Sequence, residues 1–142
     1  MKENNLQFVD AHILVYAHDR NAREKRERAI SLVTTLWEKR QGVISLQILS
    51  EFFVTVTQKI QPSTSLDSVK AVMQHLSCWY VVEPNRQSIV SAMEILERHS
   101  LSYWDAMVLQ SAKQANVQIL WTENLSHGQT IEGIQIQNPF IT

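Results

Sequence analysis

The stretch Phe8-Val9-Asp10-Ala11-His12-Ile13-Leu14-Val15-Tyr16-Ala17 constrains the fold more than any other part of the chain. It is an apolar run with a carboxylate set into it. A short run rich in Val, Ile and Phe reads as a buried first strand. Asp is depleted in strands and is rarely buried unless it is paired or binds a metal. Two roles account for it. Asp10 caps a helix that begins near His12, or it stands at the carboxyl end of a parallel strand, where open α/β sheets bind their ligands.

The rest of the chain supplies the sheet and its helices. Ala29, Ile30, Val33, Leu36 and Trp37 recur at helical spacing and predict a helix ending near Arg40, with Gly42 as its stop. The segment before it carries Arg20, Arg23, Arg26 and Arg28 among acids. It reads as a solvated face with i,i+4 pairs, the alternative being a phosphate-contacting edge. Val43–Leu46 predicts a second strand. A helix over residues 47–59 follows, with Leu49, Phe52, Phe53 and Val56 inward and Glu51 near its start. Residues 66–78 predict a further helix, 79–82 a strand, and 87–99 another helix. Ser102 is placed to cap a helix running to about Ala115, with Asp105 at the capping-box position. Val117–Thr122 and Ile131–Ile136 predict the last two strands. Strands alternating with helices imply an α/β fold, with a mostly parallel central sheet flanked by helices on both faces.

Bulk properties narrow the class. A length of 142 residues suits a single domain, taken as residues 1–142. No apolar stretch approaches the ~20 residues that span a bilayer. The start, Met1-Lys2-Glu3-Asn4-Asn5, lacks a signal-peptide layout, so a cytoplasmic protein is expected. One cysteine, Cys78, rules out an internal disulfide and a cysteine metal cluster, and its apolar neighbours predict a buried core position. The net charge of -1 argues against binding nucleic acid through overall charge but leaves a local patch open. Three glycines leave no room for a Gly-rich phosphate loop.

Three carboxylates then share a pattern. Asp10 ends the first strand, while Glu51 and Asp105 lie near helix starts; Thr122 to Asn124 ends another strand. In a parallel sheet these positions share one edge. Carboxylates gathered there repel and raise each other's pKa, and a divalent cation resolves the conflict. Oxygen donors select hard ions such as Mg²⁺ or Mn²⁺. Such an ion generates a nucleophile from water and steadies charge on a phosphodiester.

Phe8–Ala17, Glu51, Ser102-Tyr103-Trp104-Asp105-Ala106 and Trp121-Thr122-Glu123-Asn124-Leu125-Ser126-His127-Gly128 resemble the four acidic-site motifs of PIN-domain proteins. They are most similar to VapC-type toxins of bacterial toxin–antitoxin pairs, and Asn138-Pro139-Phe140 matches that group as well. The resemblance spans about Phe8 to Phe140 and implies a PIN-like fold. It also implies a metal-dependent endoribonuclease in which Asp10, Glu51 and Asp105 hold Mg²⁺ or Mn²⁺ and activate water against an RNA phosphodiester. It implies a homodimer and a partner antitoxin whose tail fills the acidic groove. The helices between Gln47 and Cys78 are the expected dimer face.

The chain departs from the family pattern twice. His12 stands where Asn is usual, and Asn124 where the fourth motif has Asp. Asn keeps an acceptor oxygen and loses the charge. If the strand continues, Thr122 and Asn124 face the site and Glu123 faces away, whereas a turn re-aims Glu123. A weaker site, a site that uses Glu123 and a different ion all stay open. His12 is either a ligand or a polar residue of a helix start. His127 reads as a loop residue, and Tyr103 and Trp104 as core and rim, the alternative being exposed rings that stack bases. A degenerate PIN domain that binds RNA or protein without cleavage is the alternative function. A receiver-like phosphoacceptor is disfavoured, because Glu3 and Lys113 are poorly placed for its acidic pair and its Lys.

Overall fold

A computed structural model describes residues 5–76 and 78–141. The layout of Met1–Asn4, Glu3 included, and the part of the predicted third helix at Ser77 lie outside the described residues.

The element order is β1 (Gln7–Val9), α1 (Ala11–His18), α2 (Glu24–Lys39), β2 (Gly42–Ser45), α3 (Leu46–Val54), α4 (Leu66–Leu76), β3 (Tyr80–Val82), α5 (Arg86–His99), α6 (Tyr103–Gln114), β4 (Ile119–Trp121), β5 (Thr130–Ile131) and β6 (Ile134–Gln137). A 3₁₀ turn, Arg20–Ala22, precedes α2, and a π-helical turn, Thr55–Lys59, continues α3. The six strands lie in the order β3-β2-β1-β4-β6-β5. Every pairing is parallel except β5 with β6. Phe8 and Val9 are adjacent in β1 and point to opposite faces, yet both are fully buried. Helices therefore cover both faces of the sheet, as a parallel sheet requires. Among the described residues no helix is long and apolar enough to cross a membrane.

The opening run is not one strand. It is a three-residue strand, then Asp10, then an eight-residue helix. A short apolar run fits a buried strand and a buried helix equally well, and α1 is buried at Ala11, Ile13, Leu14, Val15 and Ala17. The predicted strand 131–136 is likewise a hairpin. Glu132 and Gly133 have φ of 52° and 79°, so they form the two-residue turn whose twist suits antiparallel strands. Glu132 then accepts from Arg98 Nη2, Lys113 Nζ and His99 Nε2 at 2.7–2.8 Å, which hold its carboxyl far below the usual range and tie the hairpin to α5 and α6.

Cys78 is exposed rather than buried. It lies in the turn between α4 and β3, where Trp79 takes the interior place at 7% exposure. The basic segment is a solvated face at Arg20, Arg23 and Arg26, while Arg28 donates to Pro139 O.

Gly42 opens β2 directly beneath the Trp79 ring. A Cβ there would meet ring atoms at 2.4–2.6 Å, so no side chain fits without moving the ring. Gly42→Ala is expected to lower the unfolding free energy by about 2 kcal/mol, as overpacking does in a dense core. Urea unfolding checks this, and pairing it with Trp79→Leu should cost less than the sum of the two single changes.

Candidate active site

The site is built at the carboxyl ends of β1 and β4, which run side by side with Val9 level with Trp121. Asp10 follows β1 and its N–H donates to Trp121 O at 3.0 Å, extending the ladder by one residue. Its backbone is extended (φ -73°, ψ 157°) and its Oδ1 accepts from Ala11 N at 2.7 Å, so it caps α1. The two roles read from the sequence thus coincide in one residue: the cap fixes the carboxylate at the edge of the sheet.

Asp10 is 5% exposed. Burial pushes its carboxyl above the usual range and Glu51 adds to that push. Hydrogen bonds from Thr122 and Ala11, and the nearness of His12, oppose it. Thr122 Oγ1 donates to Asp10 Oδ2 at 2.7 Å, and Asn124 Nδ2 reaches the same oxygen at 3.4 Å. Asn124 N in turn donates to Thr122 Oγ1 at 3.1 Å. β4 ends at Trp121 and the chain bends over residues 123–125, with Glu123 directed away from Asp10. Its carboxylate accepts from Tyr16 Oη and from Lys25 Nζ, the latter at 2.9 Å. Partial burial raises the Glu123 pKa, but these two donors outweigh it and hold the carboxyl below its usual range. Lys25 also lies over the rings of Tyr16 and Phe140, which anchors the Asn138-Pro139-Phe140 tail beside α1.

Glu51 comes from α3, which carries two stripes. Ile48, Phe52 and Val56 enter the core, while Gln47, Glu51 and Thr55 turn toward the site. Phe53, expected inward, is 37% exposed. Ile48 is the inward residue that the sequence reading missed. Its signal was the i,i+4 spacing to Phe52. Gln47 Nε2 donates to Glu51 Oε1 at 2.9 Å, a partner of the site that the sequence reading also missed. Asp105 stands in the first turn of α6, where its N–H donates to the Ser102 cap at 3.2 Å.

Asp10, Glu51 and Asp105 line one cavity of about 460 Å³, together with His12, Asn124, Lys59 and Trp104. Thr122 lies beneath it as the buried partner of Asp10; Glu123 lies outside it. His127 accepts from Asn138 N at 2.9 Å and belongs to the loop. Among the described residues no three Asp, Glu, His or Cys side chains are drawn close enough together to hold a metal ion. The carboxylates converge on a shared space, not on a shared point. The donor chemistry still fits a hard divalent cation: oxygen ligands dominate, and the buried Asp10 charge has no basic side chain bonded to it.

Comparison with known proteins agrees with this architecture. The PIN-domain family model matches residues 7–129. The structure is similar to a toxin–antitoxin complex from Klebsiella pneumoniae, with 18% identity, 94% of this chain and 98% of that chain covered, and a TM-score of 0.70. It is also similar to Mycobacterium tuberculosis VapC20, described as a Sarcin-Ricin loop cleaving toxin, with 17% identity, coverage of 80% and 86%, and a TM-score of 0.63. DNA-bound VapBC from Salmonella typhimurium gives 18% identity, coverage of 95% and 98%, and a TM-score of 0.65. At these identities the likeness concerns the fold. No curated protein matches the sequence.

Proposed function

The chain belongs to the PIN-domain family, and from that premise we propose that it is a metal-dependent endoribonuclease, the toxin of a type II toxin–antitoxin pair. The observation that carries this reading is the shared cavity of Asp10, Glu51 and Asp105 at the carboxyl edge of the parallel sheet. The likeness to a toxin–antitoxin complex and to a toxin that cleaves the Sarcin-Ricin loop supports it. The same relatives support a cognate antitoxin as partner, and the proposal includes a homodimer acting in the cytoplasm.

In this reading Asp10, Glu51 and Asp105 hold Mg²⁺ or Mn²⁺. When bound, such an ion lowers the pKa of water and offsets charge on the phosphodiester during in-line attack. The chain's own residues do the positioning. Thr122 fixes one oxygen of Asp10 and Ala11 N the other. Gln47 steadies Glu51, and the Ser102 cap sets the first turn of α6 and so the place of Asp105. Asn124 brings an amide where the family pattern has a carboxylate, and that amide donates to Asp10. It gives Asp10 a further donor and adds no charge of its own to the site.

That last contact favours a second reading, in which the domain binds RNA or a protein partner without cutting. One assay separates the two. RNA cleavage in Mg²⁺ and in Mn²⁺ is expected from the natural protein. Asn124→Asp is expected to lower the metal concentration needed for half-maximal rate by roughly tenfold, the scale on which groups around a metal ligand act. Silence of the natural protein with activity in Asn124→Asp would establish the binding role. Silence of both would remove the nuclease reading.

A further inference from the structure

We propose that Trp104 is a base-stacking residue that seats an unpaired nucleobase beside the cleavage point, an inference that rests on the nuclease reading. Trp104 is 61% exposed, more than any other large apolar side chain among the described residues. It lines the same cavity as the three carboxylates and precedes Asp105 in α6. The rest of that helix explains why the ring is conspicuous. Residues 106–112 are all buried, and Ser102 and Asp105 beside it are polar. The helix itself therefore offers a single exposed ring rather than an apolar stripe. A lone flat ring at the rim of an acidic cavity suits a nucleobase, because every base has a face to stack and none needs a matching apolar stripe.

The ring is also held in place. Tyr103 packs against the core, and its ring meets Trp104 edge to face at 5.0 Å and 69°. A fixed ring loses little freedom on stacking. Lys59 completes the surface for a strand. It ends the π-helical turn that continues α3, and it lines the cavity as a cation among carboxylates. Such turns recur at functional sites. Lys59 thus offers a phosphate contact and Trp104 a stacking face in the one cavity that the carboxylates line. A duplex cannot use Trp104, since its bases are already stacked on one another.

The test is binding in chelator, so that no cleavage occurs. A dye-labelled oligouridylate of about twelve nucleotides, within the span of single-stranded sites, is titrated with the full chain. The same strand annealed to oligoadenylate serves as the duplex. The natural protein is expected to prefer the single strand. Trp104→Ala should weaken that binding by roughly tenfold and erase the preference, whereas Trp104→Phe, which keeps a stacking face, should stay within about threefold. Circular dichroism checks that both variants fold. In Mg²⁺ the alanine variant should raise KM more than it lowers kcat. Single-strand binding by Trp104→Ala equal to the natural protein's would overturn the proposal. A variant that binds RNA normally but changes sedimentation mass would overturn it as well and assign the ring to a protein interface. A natural protein that neither binds nor cuts RNA would overturn the nuclease reading and this proposal together.

Discussion

Asp10→Asn is expected to abolish metal-dependent RNA cleavage while leaving the protein at least as stable as before. Even groups that only support a metal ligand are worth about 10–100-fold, so loss of the ligand itself should cost at least about a hundredfold in kcat/KM. The stability argument runs the other way. Asp10 is 5% exposed, and burial is the foremost cause of its raised pKa. A group whose pKa is raised on folding stabilises the fold while it is protonated. That contribution is complete below the unfolded pKa and is lost as pH rises through the raised folded value. At neutral pH and without metal, the buried charge works against the fold. Asn keeps an oxygen for Ala11 N and carries no charge; its amide donates to Thr122 Oγ1 once the Thr122 hydroxyl turns, at the cost of the weak 3.4 Å contact from Asn124. Thermal unfolding in chelator at neutral pH should therefore give Asp10→Asn a Tm equal to or above that of the natural protein. Its Tm should also vary less with pH between the ordinary carboxylate value and the raised one. Cleavage that survives Asp10→Asn removes Asp10 from the chemistry. A large fall in Tm makes the residue a structural cap first. Such a division between activity and stability is what a buried, desolvated catalytic charge predicts.

The same residue shows where sequence reasoning reached and where it stopped. A carboxylate inside an apolar run is a local contradiction, and contradictions of that kind mark sites. Of the two geometries left open after β4 the turn is the one found: the chain bends over residues 123–125, closed by Asn124 N on Thr122 Oγ1, and Glu123 is nonetheless directed to Lys25 while Asn124 stays on Asp10. Element types were legible wherever caps and periodicity agreed, as for α6, which opens at the Ser102 cap read from the sequence. What failed had physical reasons. The strand–helix boundary within residues 8–17 has no Gly or Pro to mark it, and α1 is buried around most of its surface, so no polar stripe reveals its period. The hairpin at Glu132 was hidden because the favoured turn usually has Asn or Asp before its Gly. The position of Cys78 depended on which neighbour, Cys or Trp, filled the interior. Packing decides that, and local pattern does not. That the carboxylates gather at one sheet edge was legible from the order of strands and helices; their spacing across the cavity was not, since it rests on the register of β1 against β4 and the packing of α3 and α6.

Phe52→Ala should be among the most destabilising single changes in the chain, lowering the unfolding free energy by about 3–5 kcal/mol, the usual range for Phe→Ala in a core. Phe52 is 1% exposed and its ring meets His18 edge to face at 5.2 Å. Truncation leaves a hole between α3 and α1, because backbone on both sides is fixed by the sheet. Phe53→Ala is the matched control. It removes the same atoms from the next position on the same helix, yet Phe53 is 37% exposed, so its cost should stay near or below about 1 kcal/mol. Urea unfolding of the two variants reads the difference directly, with the midpoint shifted and the slope unchanged if the denatured state is unaltered. Equal costs would mean that α3 is rotated from the orientation described. That outcome reaches the site, because Glu51 precedes Phe52 and owes its direction to the stripe of Ile48, Phe52 and Val56 behind it. A rotation that brought Phe53 inward would carry Glu51 away from Asp10 and break the cavity on which the nuclease reading stands.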